Sequence, residues 1–234
     1  MKIAVISDIH GNIYSLMKVF EDIDDNRVDK VICLGDLVGY GPHPNEVIAL
    51  IKRREITCLK GNYDASVCDG DFTYIRDNNI NSFSLPWAVE EVRNSNKYFL
   101  ENLETEYRLK VGKREILFVH GSPNSISEYL FEDGSNTEEI MKNLNADILV
   151  CAHTHIPSCK MFGDKLFIND GSVGKPKNGS PNATYCILDI NEETGEVKVK
   201  FRNVEYEFKR IVKDMTMLKF PSNLIQSYET GREV

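Results

Sequence analysis

The chain has 234 residues, 41% of them hydrophobic, with 28 Lys and Arg against 36 Asp and Glu and a net charge of −8. That length suits one larger domain or two small ones with a sizeable core, and no apolar run approaches the roughly 20 residues of a membrane span. An acidic chain argues against tight non-specific nucleic-acid binding, so no stable nucleic-acid complex is expected. It does not exclude a phosphate substrate, because bound metal reverses the local sign.

The N-terminus enters a strand-like run at Lys2 with no apolar signal region or cleavage site, so the expected compartment is the cytoplasm. Ile3 to Ile6 is that first strand. Ile13, Leu16, Phe20 and Ile23 recur at helical spacing. Val31 to Leu34 is a second strand, Asn45 to Arg54 a helix preceded by proline, and Ile56 to Leu59 a third strand. This β-α-β-α-β order predicts a parallel sheet with right-handed crossovers, whose sites form at the carboxyl ends of its strands.

Residues 65–83 are polar and carry no clear period. Leu85 to Leu103 reads as one helix with Pro86 in its first turn. The segments around GKR read as a hairpin. Thr137 to Leu144 is a helix, and Asp147 to Ala152 a strand. Gly163-Asp164 is a hairpin turn between two short strands. A meander follows through ATYCILDI and VKVKFRNV, and the last 30 residues carry sparser helical patterns. The stretch from Lys209 to Val234 has no motif; it packs on a sheet, covers a pocket or pairs subunits. The chain is expected to be one domain, 1–234, with two packed sheets and helices outside.

Four of the six cysteines, Cys33, Cys58, Cys151 and Cys186, lie inside apolar strand-like runs and are expected as buried, reduced thiols.

Seven residues able to hold a metal follow apolar strands: Asp8, His10, Asp36, Asn62, His120, His153 and His155. Each segment alone has an ordinary reading, since Asp-x-His, Gly-Asp and Gly-Asn are common turn elements and a histidine after a strand is often a core residue. Two imidazoles as close as His153 and His155 are rarely both structural. Carboxylate and amide oxygens mixed with imidazoles, and no thiolate, suit a pair of divalent cations.

The order Asp8-x-His10, Gly35-Asp36, Gly61-Asn62-x-Asp64, His120-Gly121, His153-x-His155 resembles the calcineurin-like metallophosphoesterases. With GDLVGYGPHPNEVI, FVHGSP and NDGSVGKPKNGSPNATYCILD it looks more like the small prokaryotic phosphodiesterase and diadenosine-tetraphosphatase-related branch. The resemblance runs from Lys2 to about Asp189. It implies a four-layer α/β/β/α sandwich of two mixed sheets with flanking helices. It also implies a two-metal site: Asp8, His10 and His155 on one metal, Asn62, His120 and His153 on the other, and Asp36 bridging them at roughly 3.5–4 Å separation. The metals would be Mn²⁺, Fe²⁺, Zn²⁺ or Mg²⁺, with Mn²⁺ favoured. The reaction implied is in-line attack on phosphorus by a bridging hydroxide, with Asn62 and His120 serving catalysis as well as metal binding.

The third motif of that family usually reads Gly-Asn-His-Asp or Gly-Asn-His-Glu; here it is Gly61-Asn62-Tyr63-Asp64. The missing histidine is generally taken as the acid for the leaving oxygen. A tyrosine, with an ordinary pKa near 10, transfers a proton poorly at pH 7. Tyr63 therefore points to phosphodiesters with good leaving groups rather than alkyl monoesters. Asp64 either holds Tyr63 or caps the next segment. The Gly-Asp run also lacks the arginine of the protein Ser/Thr phosphatases, which argues against that role. Asn12 contacts phosphate or caps a helix. His43 and Lys175 are candidate substrate contacts, against the plainer reading of solvated loop residues.

A small phosphodiester or nucleotide is the expected substrate. A phosphomonoesterase or dinucleoside-polyphosphate hydrolase on the same site is the alternative. The superfamily also includes a vacuolar-sorting scaffold; such proteins tend to lose ligand positions, and all seven stand here.

Overall fold

Strand β1 (Lys2–Ile6) turns Ile3 and Val5 into one cluster of buried side chains and Ala4 and Ile6 into another, as the two-residue period of a strand requires. A strand buried on both faces is central to its sheet. This is the computed structural model of the chain, which describes residues 1–70, 72–75 and 80–233.

After β1 come α1 (Ile13–Asn26), β2 (Lys30–Cys33), α2 (Pro44–Arg53), β3 (Thr57–Cys58) and α3 (Asn62–Asp69). Strands β1, β2 and β3 pair in parallel, as the alternating order requires. The third strand is shorter than Ile56 to Leu59; Leu59 lies past its end, with its N–H on Cys33 O at 2.8 Å and a bridge to Glu104. The polar stretch without clear period opens within α3.

Leu85 to Leu103 is not one helix. It is α4 (Asn81–Glu91) and α5 (Asn94–Glu101), with Val92 and Arg93 extended between them. Asn45 of α2 explains the break: its side chain donates to the Glu91 carbonyl at 2.9 Å and accepts from Arg93 N–H at 3.1 Å. These bonds replace helical ones that the chain gives up. Because α4 begins at Asn81, Pro86 lies in its second turn rather than its first.

The second sheet uses β4 (Glu106–Val111), β5 (Arg114–Val119), β6 (Ile148–Cys151), β7 (Ser158–Phe162) and β8 (Lys165–Asn169), in the order β4-β5-β6-β8-β7. Helix α6 (Ser135–Asn143) precedes β6, which lies parallel to β5 and β8. Then β9 (Ala183–Ile190) and β10 (Val197–Val204) return to the first sheet, antiparallel, giving β10-β9-β1-β2-β3.

Ile3, Val5 and Ile32 of the first sheet pack with Ile116, Phe118, Val150 and Ile168 of the second. The alternate residues Leu117, Leu149 and Phe167 face outward, beside Met141 of α6. On the other side, Ala4, Ile6 and Ile187 meet Leu16, Phe20, Val47 and Ile51. The result is two mixed sheets face to face with helices on both outer faces. Each such buried aliphatic side chain contributes roughly 1.5–3 kcal/mol. Helices α7 (Phe208–Met217) and α8 (Ser222–Thr230) join the same outer cluster through Ile211, Met215, Leu224 and Tyr228.

All six cysteines are free. Cys33, Cys151 and Cys186 are buried, whereas Cys58, on the short edge strand, is half-buried. No helix among the described residues is long and apolar enough to cross a membrane.

Candidate active site

Every candidate ligand follows the carboxyl end of a strand, and both sheets point those ends at one place. Asp8 and His10 follow β1, Asp36 follows β2 and Asn62 follows β3, while His120 follows β5 and His153 and His155 follow β6.

Backbone hydrogen bonds lace these loops together. Asp8 N–H reaches Gly35 O at 3.0 Å, and Ile9 and His10 N–H both reach Asp36 O at 2.9 Å. Ala152 N–H reaches His120 O at 2.8 Å. Within this lacing Asp8, His10, Asp36, His153 and His155 have φ of 49°, 47°, 54°, 68° and 60°. Left-handed backbone costs a non-glycine residue about 1 kcal/mol or more and persists where surrounding bonds enforce it, most often at functional sites. Gly61 is required for close approach: a Cβ there would lie 2.1 Å from Asp36 Oδ1.

The side chains form two groups, Asp8–His10–His155 and Asp36–His120–His153, with donor atoms within 4.8 Å of one another in each. Asp36 Oδ2 lies 3.6 Å from His10 Nε2 and 3.4 Å from His120 Nε2, so it stands between the groups. Asn62 Oδ1 completes the second, 3.0 Å from His120 Nε2. All seven side chains are buried.

Each imidazole is oriented by a main-chain carbonyl. Nδ1 of His10, His120 and His155 faces Val38 O, Leu34 O and Lys175 O at 2.9, 2.9 and 2.5 Å. Nε2 of His153 faces Ser127 O at 3.2 Å. A nitrogen facing a carbonyl must carry the proton, so the other nitrogen turns a lone pair into the site. Asn62 Nδ2 donates to Tyr74 O at 3.2 Å, which aims the amide oxygen inward.

The donor set fits divalent cations. Asp8 Oδ1 and Asp36 Oδ2 are buried with no hydrogen-bond partner, an arrangement that is costly unless a cation takes those oxygens. His10 Nε2 and His155 Nε2 face each other at 3.3 Å, which two lone pairs tolerate only with a positive charge between them. Burial pulls His153 and His155 down to about 3 and about 4, so both are neutral and able to ligate at pH 7. Burial also pulls on His120, but Asp36 and Asp8 outweigh it and push that ring up to about 10, so that without a cation a proton takes the place of one on its inward nitrogen. The pocket demands positive charge.

Asp64 does not hold the Tyr63 side chain. Its carboxylate accepts from Asp36, Leu37, Val38 and Gly61 N–H at 2.8, 2.9, 3.3 and 3.0 Å. It thus caps α3 and clamps the loop that carries Asp36. Burial and the Asp36 charge push it up to about 6, against the pull of those N–H groups. Tyr63 is buried, and its hydroxyl bonds Tyr40 and Asn81. Burial and Tyr40 raise it well above the ordinary phenol value.

Asn12 takes the cap role: it accepts from Ser15 N–H at 3.2 Å and donates to Gly174 O and Tyr206 Oη at 2.9 Å each. His43 pairs with Asp214 of α7 at 2.9 Å, edge-on to the Tyr14 ring, and is not among the side chains lining the cavity beside the donor groups. Lys175 is buried with its ammonium 4.7 Å from the centre of the Tyr40 ring rather than in open cavity. Its carbonyl faces His155 Nδ1 at 2.5 Å.

A cavity of about 300 Å³ opens beside the second group, between Asn62, His153, Tyr40, Tyr129, Lys177 and Glu233. A larger cleft of about 550 Å³, at the β9–β10 turn, includes none of the candidate ligands. Tyr40 and Lys177 lie inside the family-like segments GDLVGYGPHPNEVI and NDGSVGKPKNGSPNATYCILD, yet sequence reasoning did not single them out; Tyr129 lies outside those segments, and Glu233 is 56 residues beyond Lys177.

Residues 1–193 match the family model described as the calcineurin-like phosphoesterase superfamily domain. The protein MJ0912 of Methanocaldococcus jannaschii is 32% identical over 98% of both chains. Phosphodiesterase YfcE of Escherichia coli is 26% identical over 81% of this chain and 88% of its own. The crystal structure of a metallophosphoesterase from Sphaerobacter thermophilus superposes with a TM-score of 0.82 at 27% identity, covering 99% of each chain. Sequence motifs, sandwich architecture and the paired donor groups at the strand ends agree with this match, and the chain belongs to the calcineurin-like phosphoesterase superfamily.

Proposed function

We propose that the chain is a metal-dependent phosphodiesterase that hydrolyses a small or flexible phosphodiester, nucleotides included, by in-line displacement at phosphorus. The observation that carries this reading is Asp36 Oδ2, buried, unpartnered and placed between two donor groups whose imidazole tautomers are set by main-chain carbonyls. Two divalent cations there, Mn²⁺ the first choice, would supply charge to the phosphoryl oxygens and an acidified water for attack.

The chain's own residues do the rest. Asp8, His10 and His155 would hold one cation, Asn62, His120 and His153 the other, and Asp36 both. Neutral Asn62 adds a ligand without adding negative charge, which keeps the site attractive to a phosphate. Asp64 positions Asp36 through the backbone. Tyr63 holds its proton between Tyr40 and Asn81 and is a poor acid. The leaving oxygen must then depart without help from that position, which favours diesters of acidic alcohols. The similarity to a protein named phosphodiesterase supports the same substrate class.

The test is to strip the protein of metal, reconstitute it with Mn²⁺, and compare bis-p-nitrophenyl phosphate with p-nitrophenyl phosphate, with His120→Ala as control. Metal-dependent diester cleavage that the variant loses is expected. Preference for the monoester overturns the substrate class. Stoichiometric metal binding without turnover of either ester would leave a narrow-specificity enzyme or a non-catalytic scaffold.

A further inference from the structure

The family match ends at residue 193, yet the cavity beside the donor groups is completed by chain well beyond it. Tyr228 of α8 places its hydroxyl 3.4 Å from the His10 carbonyl. Gly179 N–H donates to Gly231 O at 2.8 Å, and a Cβ on Gly231 would fall 1.9 Å from Ser180 O. The end of α8 is thus seated tightly on the 178–180 loop. That seat carries Glu233 to the cavity, where its Oε1 lies 3.4 Å from Lys177 Nζ.

Lys177 is part of the site's frame. Its N–H donates to the carbonyl of His155 at 3.2 Å, and its side chain is only 13% exposed. Among the described residues, the charged side chains lining this cavity are Lys177 and Glu233, beside the neutral His153 and several tyrosines and amides. Lys175, the next amine inward, is stacked on Tyr40, and burial pulls it down to about 7. Burial would raise the Glu233 carboxyl, but Lys177 and Lys175 outweigh it and hold it below the usual range, so Glu233 is a carboxylate at neutral pH. Lys177 and Glu233 therefore cancel each other at the rim. Near pH 7 a phosphodiester carries one negative charge, whereas a phosphomonoester carries close to two. The second charge of a monoester would meet a lysine already paired and a carboxylate beside it.

We propose that Glu233 is a specificity-determining residue: by neutralising Lys177 at the cavity rim, it makes the site select monoanionic phosphodiesters over dianionic monoesters. This rests on the phosphodiesterase reading above. Lys177, once unpaired, is the group that would take the extra charge.

The experiment uses the Mn²⁺-loaded protein with Glu233→Gln, a change at a side chain 61% exposed that preserves shape. Two ratios are read: kcat/KM for p-nitrophenyl phosphate against bis-p-nitrophenyl phosphate, and Kd for inorganic phosphate against dimethyl phosphate by calorimetry. Each should move about five- to tenfold toward the dianion at low salt, and less at high salt. Adding Lys177→Met to Glu233→Gln should cancel the shift. A diester-selective wild type whose two ratios stay within twofold in Glu233→Gln overturns the assignment of Glu233 alone. A wild type that prefers the monoester overturns both this inference and the phosphodiesterase reading. If the wild type turns over neither ester, the phosphate-binding ratio decides.

Discussion

Asp64 is the most informative residue to perturb, because it touches no substrate and no candidate cation. Its two oxygens accept four main-chain N–H groups, two on each. Asp64→Asn keeps the volume but replaces one oxygen with an NH₂ that faces two donors. Two buried N–H groups then lose their acceptor, either the pair bonded at 2.8 and 3.0 Å or the pair at 2.9 and 3.3 Å. At roughly 1–2 kcal/mol for each orphaned donor, the expected loss of stability is about 2–4 kcal/mol. The same loop holds Asp36 at a φ of 54°, so its carboxylate should drift from between the donor groups. Loosening such outer support typically costs roughly 10–100-fold in metal affinity. Urea denaturation of the metal-free protein gives the first quantity, and calorimetric Mn²⁺ titration the second. If Asp64→Asn retains stability within about 0.5 kcal/mol and unchanged Mn²⁺ affinity, the clamp argument is wrong.

Three further outcomes are expected. Tyr63→Phe should leave diester kcat/KM within about threefold while costing roughly 1 kcal/mol from the lost hydrogen bonds; a hundredfold drop in kcat would instead make the phenol the acid. Asp22 on α1 accepts Arg202 at 2.9 and 2.5 Å and Tyr185 at 2.6 Å, tying α1 to β9 and β10. Arg202 lowers its carboxyl, against a smaller opposing effect of burial. Its contribution is therefore present above the unfolded value near 3.9 and lost as pH falls through the lower folded value. Asp22→Asn should cost about 1–2 kcal/mol at pH 7 in a denaturant titration and less near pH 3; an equal cost at both would refute the ion-pair account. Chelation with EDTA should lower Tm by several degrees, because the unpartnered oxygens of Asp8 and Asp36 then lie buried together. A Tm that chelator and added Mn²⁺ leave unchanged in calorimetry would argue against a bound cation.

Much of the site can be read directly from the chain, because a strand followed by a tight turn is a local event. The runs AVISDIH, VICLGD and ILVCAHTH each carry an apolar strand and its ligand candidates within a few residues, and the β-α-β order sends all their carboxyl ends one way. The binary pattern of β1 and β5 likewise encodes which residues face the inter-sheet core. Where side chains reach across the fold, the local pattern misleads. The apolar spacing through Leu85 to Leu103 is compatible with one helix, and the break is decided by Asn45, some 48 residues before Arg93. His43 sits in a motif-like loop, yet its partner there is Asp214, 171 residues away. Asp64 looks like a partner for Tyr63, and only the packed loops reveal four N–H groups around it. Glu233 stands beyond every motif and meets Lys177 only because α8 seats on the 178–180 loop. Residue identity and local periodicity determine which groups are presented at a strand end; the packing of distant segments determines which charges are paired, and so what the cavity accepts.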